Sequence, residues 1–128
     1  MKGSCHCGTV QYEVTKLDQP FAHCHCQTCQ KTQGAAFASS ARVAPEDFRF
    51  TAGADQVKDY YSSPDKSRRF CSNCGCHIVA IKEGQANWIL RVATLDEDPG
   101  IRPSFHIWCE HDRDWLTLDV PRHGQFPA

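Results

Sequence analysis

Gly3-Ser4-Cys5-His6-Cys7-Gly8-Thr9-Val10-Gln11-Tyr12-Glu13-Val14 joins two signals in one short stretch. From Thr9 to Val14 the residues alternate with period two, the pattern of a half-buried β-strand. Just before it, two cysteines flank a single residue and are followed by glycine. Two cysteines followed by glycine return, now with two residues between them, at Cys71-Ser72-Asn73-Cys74-Gly75, ahead of the partly alternating run Cys76-His77-Ile78-Val79-Ala80-Ile81. A glycine in that position can take positive φ and turn the following backbone N–H groups toward thiolate sulfurs. Each run therefore reads as half of a knuckle. Cys5, Cys7, Cys71 and Cys74 together read as a closed, structural zinc site that ties an early strand to a distant turn. Such a metal contributes about 10–16 kcal/mol of apparent binding free energy, comparable with the whole stability of a small domain.

Outward from these anchors, short Pro, Gly, Asp or Asn turns separate further β-prone runs. Strands are predicted at Phe37 to Val43, Phe48 to Thr51, Val57 to Ser62, Arg68 to Cys71, Trp88 to Ala93, Phe105 to Trp108 and Trp115 to Leu118. The expected fold class is all-β, zinc-stapled and built of small antiparallel sheets. Helical turns are expected at Pro45-Glu46-Asp47-Phe48 and after Cys26, neither long enough to be stable alone. No repeat, charge block or low-complexity tract divides the 128 residues, so residues 1–128 are expected to form one domain.

Fourteen Lys and Arg against fifteen Asp and Glu give a net charge of −1, which offers no broad basic field for a phosphate backbone, so nucleic acid is not an expected partner. The N-terminus leads straight into a cysteine motif, with no apolar run for a signal peptide or a membrane span. A cytoplasmic protein is the expectation. Nine cysteines are an odd number clustered at metal-ligand spacings, and cysteines two or three residues apart close small, strained disulfide loops. Metal explains them better. With Zn–S near ~2.3 Å, the sulfurs of one site sit roughly 3.8 Å apart, within reach of a turn carrying two cysteines.

The third run, Cys24-His25-Cys26-Gln27-Thr28-Cys29, differs. Cys29 is followed by Gln30 and Lys31, and glycine is delayed to Gly34. Three thiolates leave one zinc position for water or a substrate thiol, the pattern of a catalytic site, and a thiol bound there is held as the nucleophilic thiolate. Two cysteines stay unassigned: Cys76 or Cys109 could close this site into an inert cluster, or each could be a small buried hydrophobe. His6 and His25 lie between cysteines and should point away from the metals, because alternate side chains of an extended segment face opposite sides. His77 and His106 read as hydrogen-bonded strand residues, with His106 and Trp108 also candidates for a pocket wall. Lys31, Arg42, Arg68, Arg69 and Arg91 are candidates for gripping carboxylates, although no spacing separates them from a solvated face. Phe37, Tyr60, Tyr61, Phe70, Trp88, Phe105 and Trp108 are expected in core and pocket walls.

Gly3 to Val10 and Cys24 to Lys31, together with Phe70-Cys71-Ser72-Asn73-Cys74-Gly75, Phe105-His106-Ile107-Trp108 and Trp115, resemble the glutathione-dependent formaldehyde-activating enzyme family, which includes the centromere protein V domain. The resemblance spans nearly the whole chain. It implies a β-tent fold, a structural zinc on Cys5, Cys7, Cys71 and Cys74, and a catalytic zinc on Cys24, Cys26 and Cys29. It also implies carbon–sulfur lyase chemistry, the reversible condensation of glutathione with formaldehyde to S-(hydroxymethyl)glutathione. Cys76 and Cys109 depart from the family pattern. The first functional expectation is thus an enzyme acting on glutathione or a related thiol and an aldehyde. The alternative is a non-catalytic two-zinc interaction module; a thiol-redox or nucleic-acid protein fits less well.

Overall fold

The computed structural model describes residues 1–125. Their elements run β1 (Lys2–Ser4), β2 (Gln11–Val14), β3 (Asp18–Cys24), α1 (Gln27–Gln33), β4 (Ala38–Val43), β5 (Phe48–Ala52), β6 (Val57–Ser63), β7 (Lys66–Cys71), β8 (His77–Lys82), β9 (Trp88–Arg91) and β10 (Phe105–Ile107), with short 3-10 turns between. The all-β expectation holds. One three-stranded sheet has the order β1-β2-β5, and a seven-stranded sheet the order β10-β3-β4-β9-β8-β7-β6. Every pairing is antiparallel except β10 with β3, which is parallel. A parallel neighbour needs a crossover, and the long segment after β9 provides it.

The period-two pattern decides what is buried. In β2, Tyr12 and Val14 face inward while Gln11 and Glu13 face out. With Val10 and Phe48 they meet Val43, Val79 and Leu90 from the second sheet in one core. Each such side chain adds about 1.5–3 kcal/mol by leaving water. Gly3 pairs with Tyr12, and a Cβ there would lie 2.1 Å from the tyrosine ring, so glycine is what lets the ring fold over β1.

The other face of the large sheet carries a different set of residues. Ala22 on β3 is opposite Ser40 on β4, which is opposite Arg91 on β9. Arg42 on β4 is opposite Ile89 on β9, Ile89 opposite Ala80 on β8, and Ala80 opposite Arg68 on β7. Side chains opposite one another in a ladder share a face. Small residues here leave room above the sheet for long cationic ones.

Three details differ from the expectation. Trp115 to Leu118 is not a strand; Trp115 and Leu118 are exposed and outside the ladders. β1 and β3 were not predicted, because three residues are too few for periodicity and Asp18 to Cys24 does not alternate cleanly. The turn after Cys26 is a seven-residue α-helix, capped at one end by Cys26 and at the other by Gly34 at φ 58°. No helix among the described residues is long and apolar enough to cross a membrane.

Candidate functional site

The sulfurs of Cys5, Cys7, Cys71 and Cys74 lie within 4.8 Å of one another. Cys5 to Cys7 is 3.5 Å and Cys7 to Cys71 is 3.8 Å, close to the ~3.8 Å edge of a tetrahedral zinc–sulfur site. Gly8 at φ 78° and Gly75 at φ 80° supply the positive-φ turns. The Val10 amide then donates to Cys5 Sγ at 3.3 Å, and the Cys74 and Asn73 amides reach Cys71. Cys7 is brought to about 5, first by hydrogen bonding to the Thr9 side chain and then to Asn73. Burial pushes Cys71 up to about 11. Four soft donors with amides aimed at them fit a thiophilic ion such as zinc.

Cys24, at the end of β3, converges with Cys26 and Cys29 from the start of α1. Cys26 is the helix N-cap, and its sulfur accepts the Cys29 amide at 3.2 Å, satisfying one of the free N–H groups of the first turn. Cys29 is drawn to the thiolate, first by the hydrogen bond from Cys24 and then, against the effect of burial, by the Arg91 charge; Cys24, which gives that hydrogen bond, is pushed up. No fourth His, Cys, Asp or Glu joins this group among the described residues. Cys76 packs against the core beside the other cluster, and Cys109 sits near His25 and Asp112. None of the nine cysteines is in a disulfide.

The three sulfurs line a cavity of about 450 Å³, the size of a small-molecule site. Its floor is the cationic sheet face, with Arg68 and Arg91; Lys66, Lys82 and Arg42 also line it, and Phe105, Ile107 and Trp108 form an apolar wall. Arg68 is 2% and Arg91 6% exposed. Burial lowers the pKa of Lys66, and the neighbouring Arg68 and Arg91 lower it further. Of the cations proposed from sequence, Lys31 points to solvent from α1, and Arg69 turns to the opposite face, 3.1 Å from Asp59 and stacked over Trp88. Lys66 and Lys82 were missed, since only the strand register shows that they meet.

His25 points away from the sulfurs, as alternation requires, into a cluster with His23, Phe37 and His106. His106 therefore faces away from the cavity while Trp108 lines it, so only half of that expected wall is present. His25 Nδ1 donates to Asp112 at 2.6 Å, and its Nε2 lies 2.7 Å from His106 Nδ1. Both ring nitrogens are engaged, so although His25, Cys109 and Asp112 lie close together, His25 has no lone pair to offer a metal. Gln30 completes a clasp between α1 and the C-terminal segment. It donates to the carbonyls of His25 at 2.7 Å and His111 at 2.9 Å, and it accepts from Arg113 at 2.9 Å. Trp108 takes φ 60°, a left-handed backbone that a tryptophan rarely adopts.

Known proteins with this architecture are found at two levels. Residues 1–111 match the profile described as glutathione-dependent formaldehyde-activating enzyme. A Halomonas elongata protein provisionally given that name is 26% identical over 127 residues, covering 93% of this chain and 81% of the relative. A Talaromyces marneffei protein with the same provisional name is 31% identical over 77 residues, which is 58% of this chain but only 41% of that longer relative. A crystal structure of a Rhodobacter sphaeroides protein superposes with a TM-score of 0.62 at 31% identity, covering 80% of this chain and 92% of that one.

Proposed function

The chain belongs to the glutathione-dependent formaldehyde-activating enzyme family, and from that premise we propose that it is a zinc-dependent carbon–sulfur lyase of the S-(hydroxymethyl)glutathione synthase type, joining glutathione or a related thiol to an aldehyde and reversing that step. One observation carries the reading: three convergent cysteine sulfurs, with no fourth His, Cys, Asp or Glu beside them among the described residues, border a cavity of small-molecule size. The ligands are Cys24, Cys26 and Cys29 for a catalytic zinc and Cys5, Cys7, Cys71 and Cys74 for a structural one, two ions in a single domain of residues 1–128. The free cysteines suit a reducing compartment such as the cytoplasm.

Zinc in the three-cysteine site would favour the thiolate form of a thiol at its remaining position and polarise a nearby carbonyl. Arg68 and Arg91 add a fixed positive field beside the three cysteines, which would stabilise negative charge on a thiol sulfur held there. Phe105, Ile107 and Trp108 wall one side against water. The thiolate sulfur attacks the carbonyl carbon, the C=O pair moves to oxygen, and that oxygen takes a proton from solvent; the reverse breaks the carbon–sulfur bond. Holding both reactants in one cavity lowers the bimolecular barrier.

The test is hydroxymethylthiol formation from glutathione and formaldehyde, followed by NMR on zinc-loaded protein against the uncatalysed rate. Acceleration that disappears in Cys29→Ser, together with loss of one of two zinc ions, is the expected result. Equal rates in the wild type and Cys29→Ser would sink the proposal.

A further inference from the structure

Arg68 and Arg91 are buried cations without a carboxylate partner among the described residues. Arg68 Nε donates to Ser62 Oγ at 2.9 Å, and Arg91 Nη1 donates to Ser40 Oγ at 2.7 Å. Arg68 Nη1 and Arg91 Nε are buried with no partner at all among the described residues. Charges taken out of water need a counter-charge, and leaving one unpaired is strongly destabilising. Among the described residues no aspartate or glutamate lines the cavity, whereas five cations do: Arg42, Lys66, Lys82 and the two buried arginines.

The charge balance narrows the occupant. Three thiolates around a divalent ion leave one net negative charge, and a bound thiolate makes two, which Arg68 and Arg91 offset. Arg42, Lys66 and Lys82 then face the remaining volume, where Asp65, which lies outside the lining and interacts with Lys82 and Lys66, offsets at most one of the three charges. We infer that the preferred thiol carries one or more carboxylates and no ammonium group, so that an ammonium-free analogue of glutathione fits this cavity better than glutathione itself. Glutathione would bring carboxylates that suit these cations and an ammonium for which the lining offers no acidic partner. The inference rests on the thiol-binding reading given above and adds the substrate's charge pattern to it.

Binding to the zinc-loaded full chain, measured by calorimetry, separates the possibilities. The probes are mercaptosuccinate, 2-mercaptoethanol, cysteamine, glutathione, deaminated glutathione, and succinate as a competitor without sulfur. Mercaptosuccinate is expected to bind at least about tenfold more tightly than 2-mercaptoethanol, since hydrogen bonds to charged groups are worth about that factor or more. Cysteamine should bind weakest, deaminated glutathione should outbind glutathione, and succinate should compete with mercaptosuccinate. Lys82→Met, at an exposed position where folding is safe, should narrow the gap between mercaptosuccinate and 2-mercaptoethanol, and Arg91→Met should narrow it further. Equal binding of 2-mercaptoethanol and mercaptosuccinate, or glutathione binding more tightly than its deaminated form, would overturn the charge inference while leaving the thiol site standing. Succinate competing in the absence of any thiol preference would instead overturn the thiol reading and keep the anion site. Binding by none of the probes would overturn both.

Discussion

Cys5, Cys7, Cys71 and Cys74 meet where the N-terminal β-structure joins the end of β7, whereas Cys24, Cys26 and Cys29 meet beside an open cavity. The donor atom is the same in both places. The first group has four sulfurs, and its shaping comes from local turns at Gly8 and Gly75, with the Val10 amide on the Cys5 sulfur. The second has three sulfurs, a helix N-terminus and two buried arginines. β7 serves both: Arg68 and Cys71 lie an odd number of residues apart, so they leave the strand on opposite faces. Sulfur count separates the two groups, and on the proposed reading it makes one site closed and the other open, with the charge behind the open one set to hold an anion.

The severest way to break this contrast is to remove one ligand from each cluster. Cys71→Ser takes a fully buried sulfur out of the closed group and should forfeit most of the about 10–16 kcal/mol that a structural zinc supplies, leaving no cooperative thermal transition. Cys29→Ser should lose one metal of two yet still melt cooperatively. Circular dichroism melts paired with metal content read both variants. If Cys29→Ser unfolds as completely as Cys71→Ser, the two clusters do not divide their duties. Titrating wild type with a mild chelator sharpens the same point: the three-thiolate site should release its ion first, before any change in the melt, because it holds one ligand fewer.

A smaller effect is expected where the open cluster is braced. Gln30→Ala would strand two carbonyls and unhook Arg113, a cost of about 1–3 kcal/mol. The His25 amide donates to the Ile107 carbonyl at 2.9 Å, so its hydrogen exchange should quicken while exchange at Val10, beside the closed cluster, is unchanged. Equal acceleration at both amides would mean that Gln30 supports the whole fold and not the cavity wall.

Both cysteine groups are legible in the sequence, because their ligands come as short local pairs and triplets whose glycine spacing has a mechanical meaning. The strands of the core are legible for a related reason, since Tyr12 and Val14 alternate with polar neighbours. What surrounds the open cluster is not. Arg68 and Arg91 are candidates for gripping carboxylates in the sequence, but no spacing separates them there from a solvated face, and only the register from β7 through β8 and β9 to β4 puts them on one face. His106 and Trp108 differ in direction because the chain turns at Trp108 through a left-handed backbone, which no residue type there announces. Trp115 to Leu118 has a strand's composition but pairs with no strand among the described residues, so no ladder realises it there.

The mildest test asks how far the two halves of the molecule are coupled. Tyr12, in the core behind the closed cluster, places its hydroxyl 2.6 Å from Thr94 Oγ1, and Thr94 in turn donates to the carbonyl of Arg91 at 2.7 Å. A short chain of hydrogen bonds thus runs from the small sheet to a cavity arginine. Tyr12→Phe removes one bond of it and should cost about 1 kcal/mol. Burial raises the Tyr12 pKa well above the ordinary tyrosine value, which fixes a sign. Below about pH 10 the side chain is neutral in both folded and unfolded chains, so its contribution is fully present. As pH rises further the unfolded chain releases that proton first, and stability falls by up to about 1.4 kcal/mol per pH unit until the folded tyrosine ionises too. The stability gap between wild type and Tyr12→Phe, measured by denaturant melts of zinc-saturated protein, should therefore shrink above pH 10 and then reverse. A gap that stays constant through that range would mean that Tyr12 ionises as readily folded as unfolded. A change in thiol affinity in the same variant, with the gap behaving as expected, would show that the hydrogen-bond chain carries strain from the closed half to Arg91.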